Sequence, residues 1–454
     1  MARPSILNLL ERKFILLLGD LFIVITSLNY FVIEAIDPQF ISLKLKVVVI
    51  SFGIISFLAL SYILDLYNLQ RTLKRKYVVS QAIYITALFV LTVFIFSLIV
   101  FDASFYIKHL LLFLILTPLE IALWRLFFVN VFRIIPTTKN VLFIYDNEDQ
   151  SEVRRVINLI DGDEEETFYK VKLTYNINQL IGAKQNFLKA TEKIDAWIIN
   201  VENYNELPSD IEKVMLMSIL KGREVISFTS FYENTYEALP IQSHNDSFYE
   251  ILQLRNRKIR YLQTIFGFGI NLTLALVLGV VFLLCLPFVW SFNLLFNRGP
   301  LFYTQKRVGL HGKEFKIYKF RSMVVDAEKT GAKMAAKNDA RITPFGRILR
   351  AFRIDELPQI ISVIKGDMQF IGPRPERKVF VNQLNSRVPF YNARHLIRPG
   401  ITGWAQVKYK YGENLDDSVK KLEYDLYYIK NRSITLDLRI IFKTVTTVLF
   451  SRGV

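Results

Sequence analysis

Residues 265–296 read IFGFGINLTLALVLGVVFLLCLPFVWSFNLLF, an apolar run long enough to pass through a bilayer as a helix. Basic residues flank the run on both sides, namely Arg255, Arg257, Lys258 and Arg260 before it and Arg298, Lys306 and Arg307 after it. Because positive flanks favour the cytoplasmic side, both ends are expected on the same side of the membrane. Pro287 interrupts helical hydrogen bonding, so we expect a re-entrant helix within residues 251–298. A simple crossing stays open, since the length before Pro287 suffices for one.

Four further apolar segments precede this run, and each has about the 20 residues that a helix needs to cross a bilayer. They extend from Phe14 to Ile33, from Val47 to Leu64, from Val78 to Phe101 and from Leu110 to Phe132. Basic residues lie before the first segment (Arg3, Arg12, Lys13), between the second and third (Arg71, Lys74, Arg75, Lys76) and after the fourth (Arg133, Lys139). The positive-inside rule places these three regions in the cytoplasm. The sequence therefore predicts four transmembrane helices in residues 1–136.

Three charged residues, Asp20, Glu120 and Arg125, lie in or near these apolar segments. A charge that faces lipid is costly, so they are expected to face neighbouring helices or the interface. A transport pathway is the alternative interpretation.

Composition agrees with a membrane protein, because 52% of the 454 residues are hydrophobic. The formal net charge of +16 suits contact with anionic lipid headgroups, nucleic acid or a phosphorylated substrate. Cys285 is the single cysteine, which excludes a disulfide framework and a thiolate zinc site. The four histidines show no metal-ligand spacing: His109, His244, His311 and His395.

Residues 137–250 alternate short apolar runs with helix-like stretches, which predicts a small Rossmann-like α/β domain. The expected strands are 141–145, 169–174, 196–201 and 224–228, and the expected helices are 151–160 and 211–220. The first strand continues into Asp146-Asn-Glu-Asp-Gln150 without the glycine-rich turn that a dinucleotide needs. We therefore expect a structural or regulatory spacer.

Residues 299–454 contain short blocks of arginine, lysine, glycine, proline and aromatic residues that helical or strand periodicity does not explain. Such blocks are typical of functional loops. They are Gln305-Lys-Arg-Val-Gly309, Lys319-Phe-Arg-Ser-Met323, Phe352-Arg-Ile-Asp-Glu-Leu-Pro-Gln359, Gly372-Pro-Arg-Pro375 and Arg398-Pro-Gly-Ile-Thr-Gly-Trp-Ala-Gln406.

Asp355 and Glu356 are the candidate catalytic pair. Pro358 fits the first turn of a helix, so a helix is expected to begin near both carboxylates, where its positive end favours anions. Adjacent carboxylates raise each other's proton affinity unless a cation such as Arg350, Arg353 or magnesium intervenes. A carboxylate held in this way can attack phosphorus or bind a metal. The alternative is an N-capping aspartate beside a solvated glutamate.

Arg321 and Arg374 suit phosphate recognition, because phosphoryl transfer needs cations that neutralise oxygen atoms beside the carboxylates. Binding of lipid headgroups is the alternative, although it does not explain the prolines around Arg374. Gly400 and Gly403, followed by Trp404 and Gln406, form either a turn with a core tryptophan or a substrate-binding loop.

These blocks, in this order, resemble the bacterial sugar transferase family of polyprenyl-phosphate glycosyl-1-phosphate transferases, also called monotopic phosphoglycosyl transferases. The resemblance covers about residues 255–454 and uses at least five motifs. The N-terminal helices and the α/β segment resemble the long-form members, which make exopolysaccharide, capsule or O-antigen precursors of lipopolysaccharide.

The resemblance implies that Asp355 attacks the sugar-bearing phosphate of a UDP-sugar and releases UMP. Polyprenyl phosphate, such as undecaprenyl phosphate, then takes the phosphosugar from Asp355. Magnesium is implied beside Asp355 and Glu356, which are the metal-ligand candidates, and Glu356 would orient the metal or a proton. Arg374 matches a phosphate-binding arginine. The weaker substrate-binding candidates are Lys319, Arg321, Arg353 and Gln406.

The chain departs from the family pattern at two places. Leu286-Pro287 stands where many members have Ser-Pro, and Val407-Lys-Tyr-Lys-Tyr-Gly412 replaces the familiar Val-Asn-Gly, as in an exopolysaccharide subgroup. Asp425 either serves the site or is a buried structural carboxylate. The stretch from Leu438 to Phe450 is either an amphipathic surface helix or a core helix.

The predicted fold class is therefore a membrane protein of α plus α/β type. It combines a four-helix transmembrane bundle, the Rossmann-like cytoplasmic domain, the re-entrant helix and a mainly α catalytic domain, residues 299–454, at the membrane surface. The resemblance implies a multi-pass protein of the bacterial inner membrane with its catalytic domain in the cytoplasm. The expected partners are a UDP-sugar, polyprenyl phosphate and anionic lipids. The sequence leaves homo-oligomerisation open.

Two alternatives come from other classes. One is a catalytically silent scaffold for polysaccharide assembly, which the intact Asp355, Glu356 and Arg374 argue against. The other is a nucleic-acid binder, for which no recognition motif is present. We therefore expect no nucleic-acid partner.

Overall fold

The structure of the chain is a computed structural model that describes residues 9–33, 42–64, 66–67, 75–100, 107–133, 138–146, 149–162, 169–177, 191, 193–201, 208–241, 252, 257–297, 299–327, 339–409 and 415–449. Arg71, Lys74, Arg255 and Arg298, which belong to the predicted basic connections, lie outside these residues. The chain divides into two compact units, residues 1–228 and residues 229–454.

The four N-terminal apolar segments form helices, as predicted. They are α1 (Leu9–Leu28, continued by a π-helical turn at Asn29–Ile33), α2 (Leu43–Ile63), α3 (Arg75–Val100) and α4 (Ile107–Arg133). Together with a helix of the second unit, five described helices are long and apolar enough to cross a membrane. Many of their large apolar side chains are exposed, among them Phe22, Ile55 and Ile115, as expected for surfaces that face lipid.

Asp20 and Arg125 face neighbouring helices, as expected, whereas Glu120 is exposed and accepts a hydrogen bond from the Ser27 hydroxyl of α1 at 2.8 Å. Asp20 and Arg125 are 0% and 1% exposed and form an ion pair between α1 and α4. The Arg125 guanidinium also donates to the Leu66 carbonyl at 3.2 Å, and the Tyr67 hydroxyl donates to Asp20 at 2.9 Å. These contacts account for the buried charges without a transport pathway.

A parallel sheet with strand order β2-β1-β3-β4 follows the membrane helices. Its strands are β1 (Lys139–Tyr145), β2 (Tyr169–Asn176), β3 (Ala196–Asn200) and β4 (Glu224–Ser227), with α5 (Gln150–Asp161) and α6 (Ser209–Leu220) between them. The predicted α/β alternation is confirmed, whereas the finer Rossmann-like assignment stays a prediction. Leu142, Ile144 and Trp197 form the core of the sheet because β1 and β3 are central.

Helix α7 (Phe228–Tyr236) starts at the last residue of the first unit, and the second unit continues with the long helix α8 (Arg257–Phe292) and a π-helical turn at Asn293–Asn297. The expected interruption of the helix at Pro287 is not found, because α8 continues through this residue to Phe292; most of its apolar surface is exposed. One face of α8 packs on the rest of the unit. Asn271 accepts a hydrogen bond from the Phe370 amide at 2.8 Å, and Phe282 and Val289 pack against Phe320. Residues before and after Pro287 therefore contact the same domain.

The remainder of the second unit contains two small two-stranded sheets among short helices. The strands are β5 (Phe302–Val308) and β6 (Glu314–Phe320), which are antiparallel, and β7 (Gln369–Ile371) and β8 (Gly400–Thr402), which are parallel. The helices are α9 (Pro344–Ala351), α10 (Ile360–Ile364), α11 (Lys378–Asn385), α12 (Trp404–Lys408), α13 (Leu415–Asn431) and α14 (Ile434–Leu449). Helix α14 buries Ile440 and its Thr444 hydroxyl lies 2.6 Å from that of Thr402, so one face of this stretch packs on the domain, and the amphipathic surface helix stays an alternative prediction.

The buried ion pair between α1 and α4 leads to a first prediction. Arg125→Met should lower the free energy of unfolding of the membrane helices by about 3–5 kcal/mol, because Asp20 is left charged and buried. The double variant Asp20→Asn/Arg125→Met should recover much of this loss, since the amide is uncharged and still accepts from Tyr67. Unfolding by a graded detergent titration measures both. Equal losses in the single and double variants would contradict this account.

Candidate active site

The two candidate carboxylates lie in a short 3₁₀ helix, Ile354–Gln359, between α9 and α10. A helical turn thus begins beside the carboxylates, as predicted. Its N-cap is Arg353, which has a left-handed backbone (φ 56°) and makes no side-chain cap. The N-capping interpretation of Asp355 is therefore wrong. The turn buries both side chains, leaving Asp355 5% and Glu356 8% exposed.

Glu356 is surrounded by cations that come from separate segments. Lys319 Nζ in β6 and Arg374 Nη2 each donate to Oε1 of Glu356 at 2.8 Å. Arg353 Nη1 lies 3.9 Å from Oε2. Burial opposes ionisation of Glu356, but the charges of Arg374, Lys319 and Arg353 outweigh it and hold its pKa well below the usual value. Glu356 is consequently a carboxylate at neutral pH.

Asp355 has a different environment from its neighbour. Burial raises the pKa of Asp355, Lys319 opposes that rise, and the negative charge of Glu356 adds to it. Its Oδ1 atom is buried and has no hydrogen-bond partner in the described part of the chain. A buried carboxylate oxygen without a protein donor has its lone pairs available for a ligand or an electrophile.

Backbone hydrogen bonds fix the loop that carries Arg374. The Gly372 amide donates to the Thr402 carbonyl and the Gly400 amide donates to the Pro373 carbonyl, both at 2.9 Å. Pro373 and Pro375 restrict the loop further. Arg374 is therefore held in place beside β7 and β8.

A buried ion pair that the sequence motifs did not reveal also supports this loop. Arg394 Nη2 donates to the Arg374 carbonyl at 3.0 Å and to Oδ2 of Asp425 at 2.8 Å. Burial raises the pKa of Asp425 to about 6, although Arg394 opposes the rise. Asp425 acts through Arg394, so the structural interpretation of this carboxylate is confirmed. No local pattern could have indicated the pair, because its members are 31 residues apart.

Two of the predicted substrate-binding residues have other partners. Arg321 Nε donates to the Pro300 carbonyl at 2.7 Å and Nη2 donates to the Asn297 carbonyl at 3.0 Å, so Arg321 holds the turn after α8. Gln406 Nε2 donates to the Ile401 carbonyl at 2.9 Å, and its Oε1 is buried without a described partner. The structure thus brings Lys319, Arg353 and Arg374 to Glu356, but it shows no contact of Arg321 or Gln406 with that carboxylate.

The described residues contain no cluster of three or more histidine, cysteine, aspartate or glutamate side chains that could hold a metal ion. Magnesium in phosphoryl-transfer sites often uses one or two carboxylates and takes its other ligands from water and substrate phosphates. The Oδ1 atom of Asp355 fits such a ligand, since it lacks a hydrogen-bond partner. Glu356 fits less well, because Lys319 and Arg374 already bind its Oε1.

Comparison with known proteins gives the family. The profile described as bacterial sugar transferase matches residues 262–451. An uncharacterised sugar transferase of Bacillus subtilis is 42% identical over 159 residues, which are 34% of this chain and 73% of that protein. The chain belongs to the bacterial sugar transferase family. The resemblance stated from the sequence motifs is thereby confirmed.

Two other bacterial sugar transferases carry more specific names. UDP-N-acetylgalactosamine-undecaprenyl-phosphate N-acetylgalactosaminephosphotransferase of Aeromonas hydrophila is 51% identical over 34% of this chain and 37% of its own length. UDP-glucose:undecaprenyl-phosphate glucose-1-phosphate transferase of Xanthomonas campestris is 47% identical over 33% and 32%. The chain thus spans about a third of the length of these relatives.

His395, next to Arg394, gives a prediction about pH dependence. Burial, aided by the charge of Arg394, lowers the pKa of His395 to about 4. Because the unfolded chain binds this proton at about pH 6.5, the stability that neutral His395 provides is lost as the pH falls from about 6.5 to about 4. Asp425 opposes this trend, since its raised pKa means that the folded state takes up a proton below about pH 6.

His395→Gln isolates the histidine contribution, because both proteins keep Asp425. Between about pH 7 and about pH 5, the wild type should lose about 1–2 kcal/mol more stability than the variant. Thermal unfolding of both detergent-purified proteins at the two pH values measures the difference. If wild type and variant lost the same stability between the two pH values, His395 would have the same pKa in the folded and unfolded states.

Proposed function

We propose that this protein transfers a sugar 1-phosphate from a UDP-sugar to polyprenyl phosphate, with undecaprenyl phosphate as the acceptor. One observation carries the proposal: Lys319, Arg353 and Arg374 neutralise Glu356, directly beside an aspartate whose buried Oδ1 has no hydrogen-bond partner among the described residues. The names of the relatives from Aeromonas and Xanthomonas support the substrate class. The product is polyprenyl diphosphate carrying one sugar.

In the first step, a carboxylate oxygen of Asp355 attacks the phosphorus that bears the sugar. The bond from that phosphorus to the bridging oxygen of the diphosphate breaks, and UMP leaves with both bonding electrons. Asp355 then carries the phosphosugar as an acyl phosphate. Its burial suits this role, because a dry site excludes water that would hydrolyse the intermediate.

In the second step, a phosphate oxygen of the polyprenyl phosphate attacks the same phosphorus. The bond between phosphorus and the Asp355 oxygen breaks, which forms the diphosphate of the product and regenerates the carboxylate. Both steps gather negative charge on phosphoryl oxygens. Lys319 and Arg374 are placed to stabilise that charge, since phosphoryl transfer depends mainly on positioning and neutralisation.

Magnesium is part of the proposal. Asp355 would hold it through an otherwise unpartnered oxygen, with substrate phosphates and water as further ligands. When bound, it would neutralise phosphate oxygens of the donor. Glu356 is the weaker ligand candidate because cations already bind it.

We further propose that α8 is re-entrant and that the catalytic residues lie on the cytoplasmic face of the inner membrane. Asn271 and Val289, on opposite sides of Pro287, both contact the domain that carries the site. They are about 27 Å apart along a straight helix, close to the hydrocarbon thickness of a bilayer. Because α8 contacts the same domain over this whole length, we expect both of its ends at the same face of the membrane. UDP-sugars are then accessible to the site.

Such a reaction would start the synthesis of an exopolysaccharide, a capsule or the O-antigen of lipopolysaccharide. The sugar is a separate question, because the relatives with specific names differ between N-acetylgalactosamine and glucose. Anionic lipids are the remaining proposed partners, since the chain has a net charge of +16.

Release of UMP by the detergent-purified protein, with undecaprenyl phosphate, magnesium and a panel of UDP-sugars, tests the proposal. At least one donor should give UMP and lipid-linked sugar. Asp355→Asn should lower this activity at least about 1,000-fold, because the amide cannot act as the nucleophile. Asp367→Asn, in a turn after α10, is the matched control and should retain activity.

Three results would contradict the proposal. If Asp355→Asn matched the wild type, Asp355 would not be the nucleophile. If no donor gave UMP while the protein stayed folded, the silent-scaffold alternative would gain support. If UMP appeared without sugar on the lipid, the protein would be a hydrolase.

A further inference from the structure

The segment 229–241 lies upstream of the family match at residues 262–451, yet it packs within the same compact unit. The Tyr232 hydroxyl donates to Glu423 of α13 at 2.7 Å, and the Leu239 amide donates to the Glu423 carbonyl at 3.1 Å. Leu239 and Ile241 belong to the hydrophobic core of this unit. The segment 229–241 therefore packs as part of the domain that carries the site, although the sequence pattern assigned it to the α/β domain, residues 137–250.

Glu237, the residue directly after α7, makes several polar contacts. Its carboxylate binds Arg439 Nη1 at 2.7 Å and also forms an ion pair with Lys408 Nζ. Its carbonyl accepts a hydrogen bond from Trp404 Nε1 at 3.0 Å. Glu237 is 7% exposed and has a left-handed backbone (φ 54°), a conformation that few residues with a side chain adopt. Contacts on both its side chain and its backbone hold Glu237 in this geometry.

Cations surround the ring of Trp404, which is 0% exposed. Lys408 Nζ lies 4.7 Å and Lys443 Nζ 5.0 Å from the ring centroid, and the Arg439 guanidinium carbon lies 6.0 Å from it. Glu237 supplies negative charge to two of the three. Like charges this close repel one another in a buried place, so loss of the carboxylate should move Lys408 or Arg439.

Helix α12, which starts at Trp404, is joined to the Arg374 loop by direct backbone packing. A Cβ atom added to Gly403 would lie 2.2 Å from the Gly372 carbonyl oxygen, so only glycine permits this approach. The Gly372 amide donates to the Thr402 carbonyl at 2.9 Å. Two residues later, Arg374 binds Glu356 at 2.8 Å. These contacts join α12 directly to the loop that carries Arg374, the cation bound to Glu356.

We infer that Glu237 is a positioning residue for the active site, acting through Trp404, Lys408 and the Arg374 loop; this inference rests on the proposed function. It also accounts for one departure of this chain from the family pattern. Lys408 stands where the familiar motif has asparagine, and Glu237 provides the opposite charge for it.

The test uses the full chain labelled with 5-fluorotryptophan, which gives one fluorine resonance for each of the four tryptophans. Trp404→Phe assigns the resonance of Trp404. Glu237→Gln keeps the shape of the side chain but removes its charge. Glu233→Gln, in the same segment, is the matched control, because Glu233 binds Lys430 and Asn431 and not the surroundings of Trp404.

Glu237→Gln should shift the Trp404 resonance and lower kcat for UDP-glucose or UDP-N-acetylgalactosamine about ten- to a hundredfold, since small misplacements of a catalytic group are costly. Glu233→Gln should leave both unchanged at equal folded fraction. Adding Lys408→Asn to Glu237→Gln removes one of the two cations that Glu237 binds and should restore part of the activity. This rescue distinguishes positioning from a general loss of stability.

Two results for Glu237→Gln would overturn the inference. One is a Trp404 resonance that does not shift. The other is a shifted resonance in a variant whose kcat equals that of Glu233→Gln. If Glu237→Gln fails to fold, the double variant with Lys408→Asn takes its place, and the inference then requires the double variant to fold and be active. Absence of UMP release by the folded wild type with every UDP-sugar of the panel would count against the proposed function instead. In that case the fluorine spectrum alone would test whether Glu237 positions Trp404.

Discussion

The structure of the site depends on one electrostatic constraint, the burial of two adjacent carboxylates. Burial alone would favour protonation of both, and their mutual repulsion would add to that effect. Lys319 and Arg374 bind Glu356 at 2.8 Å, so that one of the two carries its charge among cations. Asp355 keeps an oxygen without a partner among the described residues. One carboxylate is thereby engaged, and the other is available for chemistry.

The rest of the unit can be understood as support for those cations. Lys319 comes from β6, which pairs with β5, and Arg374 comes from a loop bound to β8 and Arg394. Arg394 is in turn paired with Asp425. Removal of one residue from this series of contacts leaves a buried charge or carbonyl without its partner. The site therefore depends on residues well outside its motifs. The same physical reasoning extends to Glu237 and Trp404.

The sequence was informative wherever the physical signal is local. Apolar length predicted the membrane helices, alternation predicted the α/β domain, and charge neutralisation predicted Arg353 and Arg374 beside the carboxylates, whereas Lys319 was a substrate-binding candidate only through the family resemblance. Arg321 is a residue whose role the sequence could not decide. An arginine beside aromatic residues can bind a substrate or hydrogen-bond a backbone turn, and the fold shows that Arg321 binds the turn. The pairing of Glu237 with Arg439 spans 202 residues, so no pattern along the chain could have indicated it.

The proposed mechanism requires a covalent bond between Asp355 and the phosphosugar, which mass spectrometry can detect. The purified protein is incubated with its UDP-sugar and magnesium but no polyprenyl phosphate, quenched in acid and digested. The peptide containing Asp355 should gain the mass of one sugar phosphate and lose it when polyprenyl phosphate is added before the quench. UMP release that requires the acceptor, with no mass gain on that peptide, would contradict the account and indicate direct transfer from donor to lipid.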